Sequence, residues 1–253
     1  MTTKIIAVVN QKGGVGKTTT SINVAAQLAG QNSSVLLVDL DPQGNATSGL
    51  GLPKNKELNS TYDVLCEGAE LSSAVQECHV AQLYVLPANA NLAGAEVELV
   101  GKDKREFALK EALALSTYEY IVIDCPPSLG LLTINALTAA THVMVPVQAE
   151  YYALEGLSEL INTFQAVKAS TNPDITLLGI ALTMFDKRNS LSEQVETEVR
   201  NYFGDSLFNT VIPRNVRLAE APSYGKTIFD HDKWSKGAKA YKSLAKEVKT
   251  RLS

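Results

Sequence analysis

Cysteine and histidine are scarce in this chain, and long apolar runs are absent. Its three thiols, Cys66, Cys78 and Cys125, stand at no metal-ligating spacing in 253 residues, which excludes a zinc framework and suits a reducing compartment. Cys125 reads as a small buried side chain rather than a ligand. His79, His142 and His231 are scattered and read as ordinary surface or core histidines. No stretch approaches the roughly 18 apolar residues of a membrane span. Met1-Thr2-Thr3-Lys4 runs straight into an apolar segment, without the pattern of a secretory leader. Neither a repeat nor a linker divides the chain. The expectation is one soluble, cytoplasmic domain over residues 1–253, with a C-terminal helix over 234–253 packed on it.

What is present is an ordinary core-forming composition, 45% apolar and 20% charged. The net charge of −4 argues against a protein that coats nucleic acid along its whole surface. Its distribution is uneven. Residues 1–184 carry 10 basic and 18 acidic side chains, whereas residues 185–253 carry 13 and 9. A basic C-terminal quarter on an acidic body leaves room for a local anionic partner.

The chain is organised around Asn10-Gln11-Lys12-Gly13-Gly14-Val15-Gly16-Lys17-Thr18-Thr19-Thr20. An apolar, β-branched run precedes it, and Ile22, Ala25, Ala26 and Ala29 follow at helical spacing. Strand, glycine loop and helix start together make a phosphate cradle, because converging backbone N–H groups and the helix dipole attract an anion. Lys17 is placed to reach the β/γ-phosphates and the Thr18 hydroxyl to ligate Mg²⁺. The general pattern G-x-x-x-x-G-K-[ST] is not met, since position 11 is Gln.

Two further strands end in carboxylates. Ser34–Asp39 leads into Asp39-Leu40-Asp41-Pro42-Gln43-Gly44-Asn45-Ala46-Thr47, and Tyr118–Asp124 into Cys125-Pro126-Pro127. Such positions are where ligands bind in open parallel sheets. Asp124 has the Walker B arrangement, in which the carboxylate holds Mg²⁺ through a water; capping of a turn is the other reading for each aspartate. Strands are also expected at Gln82–Pro87, Thr141–Gln148, Thr176–Met184 and Leu207–Ile212. Helix is expected over Leu92–Leu115, broken near Gly101, with Val97, Val100, Phe107 and Leu113 facing the core. The alternation predicts an α/β fold, a mostly parallel sheet flanked by helices on both faces. The tail from Trp234 to Ser253 reads as an amphipathic helix with Ala238, Tyr241, Leu244, Ala245, Val248 and Leu252 on one stripe. Its lysine-rich face is either simply solvated or in part a DNA contact.

The K-G-G-V-G-K-T loop with its second lysine, Lys12, resembles the deviant Walker A of the ParA/MinD class of ATPases. The D-x-D-P-Q-x-N run, the segment Ala88–Glu96, residues 149–157 and Pro213–Pro222 extend the likeness along essentially the whole chain, which is similar to the ParA/Soj-type partitioning ATPases. The resemblance implies a single-domain P-loop NTPase with ATP and Mg²⁺ as cofactors. Nucleotide-binding positions would be Lys12, Gly13, Gly14, Val15, Gly16, Lys17, Thr18, Thr19, Pro213 and Asn215. Lys12, Lys17, Asp41 and Asp124 would carry the chemistry, Asp41 by orienting the attacking water. Thr18, Asp124 and Asp39 would serve the metal. Lys12 would cross the interface of an ATP-bound homodimer to the partner's phosphates. That dimer would bind duplex DNA without sequence preference through Arg188 and Arg217, although simple solvation accounts for both arginines as well. A ParB-type DNA-binding partner would stimulate hydrolysis. The tail is poor in large apolar residues, against the membrane helix of a MinD-like protein. Its single tyrosine speaks against a kinase of the class, and the placement of the cysteines against an iron–sulfur electron carrier.

Overall fold

The computed structural model describes residues 3–150 and 153–253. Tyr151 and Tyr152, part of the 149–157 likeness, lie outside the described residues. Seven strands form one sheet: β1 (Lys4–Val8), β2 (Val35–Asp39), β3 (Gln76–Glu77), β4 (Leu83–Leu86), β5 (Tyr120–Asp124), β6 (His142–Gln148) and β7 (Thr176–Thr183), in the order β3-β4-β2-β5-β1-β6-β7. The pairings are parallel except that of the two-residue edge strand β3 with β4.

Period-two alternation sends neighbouring side chains of each strand to opposite faces, and both faces are buried. Ala7, Leu36, Val38, Ile121, Ile123, Val143 and Val145 point to one face. Helices α4 (Leu92–Val100), α5 (Ala108–Leu113), α6 (Leu131–Ala139), α7 (Ala153–Ala169) and α8 (Ser190–Phe203) contribute side chains to that layer. Ile6, Val8, Val35, Leu37, Val122 and Met144 point to the other. There α1 (Lys17–Ala29) packs Ile22, Val24 and Leu28 against the sheet, and α11 (Lys236–Leu252) lies beside it through Tyr241, Leu244 and Val248. The remaining helices are short: α2 (Asn45–Gly49), α3 (Leu71–Ala74), α9 (Val216–Glu220) and α10 (Ile228–Asp232).

The apolar stripe of the tail is wholly buried, so α11 is docked on the body with its lysine-rich face outward. Among the described residues no helix is long and apolar enough to cross a membrane.

Two sequence expectations need correction. Val97 and Val100 are 78% and 57% exposed, because α4 turns Leu92, Ala95 and Leu99 to the core and ends at Gly101. Leu207–Ile212 is not a strand of the sheet. Phe208 N and Ile212 N donate to the Ile180 and Leu182 carbonyls, but the intervening amides of Asn209 and Thr210 donate to the Glu247 carboxylate of α11 at 2.8 and 3.1 Å. A side chain takes the donors a ladder needs, leaving isolated bridges.

Candidate functional site

The register of three central strands gathers the polar residues at one edge. β5 pairs Asp124 with Val8 of β1 on one side and with Asp39 of β2 on the other. The glycine loop leaves β1 at the same level. Asn10 anchors its start, donating from Nδ2 to the Pro146 carbonyl at 2.7 Å and accepting at Oδ1 from Lys12 N at 2.9 Å. Thr183 Oγ1 donates to the Val15 carbonyl at 2.7 Å, pinning the far side to β7. Gly14 and Gly16 take φ of 75° and 88°, left-handed conformations that side chains disfavour, and Gly16 is the N-cap of α1. Lys17, 7% exposed, donates from Nζ to the Lys12 carbonyl at 3.0 Å across the loop. Burial lowers the Lys17 pKa, and the Asp124 charge opposes that shift.

Asp124 is fully buried, and its two oxygens differ. Oδ1 accepts from Ser21 Oγ at 2.8 Å, while Oδ2 is buried without a hydrogen-bond partner. Burial, followed by repulsion from Asp39, raises its pKa, with Thr18 and Ser21 hydroxyls pulling the other way. An oxygen without a proton donor in such a place is suited to a cationic or water-borne partner.

Asp39 is also fully buried, but its carboxylate is engaged by the loop that follows. Oδ2 accepts from Thr47 N at 2.8 Å and Thr47 Oγ1 at 2.7 Å, and Oδ1 from Asp41 N at 3.2 Å. Its pKa is raised by burial, and these bonds moderate the shift. In this arrangement Asp39 shapes the 40–47 turn. Asp41 accepts from Gln43 N at 2.9 Å and is 8% exposed at the turn.

Pro213 and Asn215 line a cavity of about 310 Å³ together with Gly16, Thr19, Thr183 and Tyr241. Its walls are largely apolar and lie beside the start of α1. Larger clefts exist elsewhere, such as one of about 620 Å³ beside Phe185–Arg188, but they contain no loop glycine.

Lys12 is half exposed, with Nζ 3.6 Å from Glu150 Oε2 at the rim. Arg188 and Arg217 are not in the cleft. Arg188 donates from Nε and Nη2 to both oxygens of Asp186 at 3.0 and 2.8 Å, holding the Asp186 pKa down at about 2. Arg217 donates to Glu220 at 2.8 Å. Both remain exposed, and the 620 Å³ cleft joins Arg188 to Lys187, Arg214 and Lys236.

Sequence reasoning gave no role in the site to Ser21, Glu150, Thr183 and Tyr241, and it placed Thr47 in the polar turn without its bond to Asp39. Ser21 carried a local signal, being one helical turn beyond Lys17.

A family model described as an AAA domain matches residues 3–177. The sporulation initiation inhibitor protein Soj of Bacillus subtilis is 56% identical over 247 residues, 97% of this chain and 98% of that protein. The chromosome partitioning protein ParA of Myxococcus xanthus is 51% identical over 250 residues, 98% of this chain and 88% of that one. Among solved structures, cobyrinic acid a,c-diamide synthase from Mycobacterium smegmatis with bound ADP and magnesium has a TM-score of 0.84 at 41% identity, covering 97% of this chain and 93% of that one. With a glycine loop, paired strand-end aspartates and full-length likeness to such relatives, the chain belongs to the ParA/Soj family of partitioning ATPases.

Proposed function

We propose that the chain hydrolyses ATP with Mg²⁺ to drive DNA segregation, and that its ATP-bound homodimer holds duplex DNA without sequence preference. A ParB-type partner then stimulates hydrolysis and releases the DNA. The observation that carries the ATPase reading is Asp124 Oδ2, buried and unpartnered at the strand end beside the glycine loop. Among the described residues no three His, Cys, Asp or Glu side chains assemble into a metal site.

Lys12 to Thr19 cradle the phosphates, and Pro213 and Asn215 border the 310 Å³ cavity. Thr18 would ligate Mg²⁺ directly, Asp124 through a water, with Asp39 fixing the neighbouring turn. Bound there, magnesium would neutralise the charge that develops on the phosphates. Lys17 stabilises the terminal phosphoryl group, and Asp41 aligns the attacking water. Lys12 leaves Glu150 for the partner's phosphates, so that ATP joins two protomers.

DNA contact rests on Arg188 and Arg217, exposed in the basic quarter. Each would exchange an intramolecular carboxylate for a phosphate, and dimerisation doubles the contacts on one face. Such contacts carry no base information. Duplex retention across a salt series, with ATP and with ADP, tests the reading. ATP-dependent retention is expected, with log affinity falling by about 0.9 per neutralised phosphate for each log unit of salt. Arg217→Glu should weaken every duplex alike and leave unstimulated turnover unchanged. Equal retention with ATP and ADP overturns the DNA cycle; retention of vesicles in place of DNA points to a membrane.

A further inference from the structure

Ser21 lies in the site without a part in the chemistry derived above. It stands on α1 one turn beyond Lys17, and both it and Asp124 are fully buried. Its Oγ is within hydrogen-bond distance of two acceptors, Asp124 Oδ1 at 2.8 Å and the Lys17 carbonyl at 3.0 Å. A hydroxyl has one proton to give. The carboxylate takes it in preference to the carbonyl, because charge-assisted hydrogen bonds are about twice as strong as neutral ones.

Other helix hydroxyls of the chain are bonded differently. Ser158, Thr197 and Thr250 donate to the carbonyl four residues back at 3.0, 2.8 and 3.1 Å, and they do so at the surface. Such a back-bond is the default for a hydroxyl in a helix. Ser21 instead joins α1 to the end of β5, 103 residues away. The consequence falls on the other carboxylate oxygen. With Oδ1 held, Oδ2 is the one left buried without a partner. The Lys17 ammonium does not fill that place, since Nζ donates to the Lys12 carbonyl at 3.0 Å. The Thr18 hydroxyl also acts on Asp124, but its oxygen is the one expected to ligate the metal. Ser21 is committed to neither nucleotide nor metal, so its replacement tests orientation alone.

We propose that Ser21 is a positioning residue for the metal side of the site: its hydroxyl holds Asp124 so that Oδ2, and not Oδ1, is the oxygen offered to a magnesium-bound water. The proposal rests on the magnesium-dependent ATPase reading above. Outer hydrogen-bond partners fix the orientation of carboxylates that serve a metal, and losing one costs about ten- to a hundredfold in metal affinity or activity. Without the Ser21 hydroxyl, Asp124 loses its fixed orientation. The glycine loop and Lys17 are untouched, so affinity for metal-free nucleotide stays as it was.

Three variants of the full chain read the role. Ser21→Ala removes the donor, Ser21→Thr keeps it, and Ser21→Cys supplies a weaker one of similar size. Calorimetry measures ADP binding, once with a chelator and once across a magnesium series, and ATP turnover is followed over the same series. Ser21→Ala should bind ADP as the wild type does in the chelator. It should need about ten- to a hundredfold more magnesium, both for the metal-dependent gain in ADP affinity and for turnover. Ser21→Thr should restore the wild-type magnesium requirement, with Ser21→Cys in between. A hydroxyl that merely fills the interior would shift ADP affinity with and without metal together, or not at all. An unchanged magnesium requirement in Ser21→Ala overturns the proposal. If Ser21→Ala does not fold, Ser21→Cys against Ser21→Thr decides it, and equal requirements overturn it. A wild-type chain whose ADP binding and turnover ignore magnesium overturns the metal reading itself, and this role with it.

Discussion

Tyr241 and Thr20 meet through their hydroxyls at 3.0 Å, 221 residues apart in sequence and both out of solvent. The bond ties the C-terminal helix to the helix that begins at the glycine loop, and Tyr241 also lines the 310 Å³ cavity beside it. Tyr241→Phe keeps the ring and strands the Thr20 hydroxyl. It should cost about 1–3 kcal/mol, the desolvation of an unpaired buried hydroxyl. Thr20→Val should cost a similar amount, and the double variant less than the two together. Urea denaturation of the four proteins measures the coupling; strict additivity would show that the bond contributes nothing.

Asp124 and Asp39 make the ligand-free protein sensitive to pH. Both carboxyls are raised above their unfolded values by burial. A raised carboxyl contributes stability that is fully present below the unfolded pKa and is lost as pH climbs through the folded one. Stability without nucleotide should therefore fall between the ordinary carboxylate range and neutrality. Asp124→Asn should flatten that fall while abolishing magnesium-dependent turnover. Thermal unfolding from pH 4 to 8 decides it, and an unflattened profile in the variant would mean another group is responsible.

The two loop lysines should separate. Lys17 is buried and spans the loop, so Lys17→Ala should lose nucleotide affinity. Lys12 is half exposed against Glu150, and its exposed pair contributes under about 1 kcal/mol. Lys12→Ala should keep its fold and substantial ATP binding but fail to dimerise. Calorimetry with light scattering reads both; equal loss of ATP binding removes the cross-dimer role.

Asp41 sits in a turn whose shape Asp39 and Thr47 hold. Asp41→Ala should bind ATP, lose turnover by orders of magnitude and accumulate as a dimer, because water is left unaligned. A variant that binds ATP normally yet stays monomeric contradicts this.

The glycine loop and the carboxylates beside it were legible in the chain because their logic is local. Glycines 14 and 16, Lys17 and Thr18 lie within one loop, and Asp39 and Asp124 each end a β-branched run. The parallel sheet was legible for the same reason, as seen in β1, β2, β5 and β6. Val97 and Val100 misled because a helical stripe read from spacing alone does not reveal which face the sheet meets.

Sequence by itself determined the central strands β1, β2, β5 and β6, the loop, the order of carboxylates and the amphipathic tail, since these follow from side-chain periodicity and backbone conformational preference. Only the tertiary structure decided which oxygen of Asp124 stays unpartnered, that Thr47 engages Asp39, and that Glu247 takes the amides of Asn209 and Thr210. The physical reason is reach. A hydrogen bond or an ion pair depends on a few ångströms between groups tens to hundreds of residues apart, and strand register and helix docking set that distance.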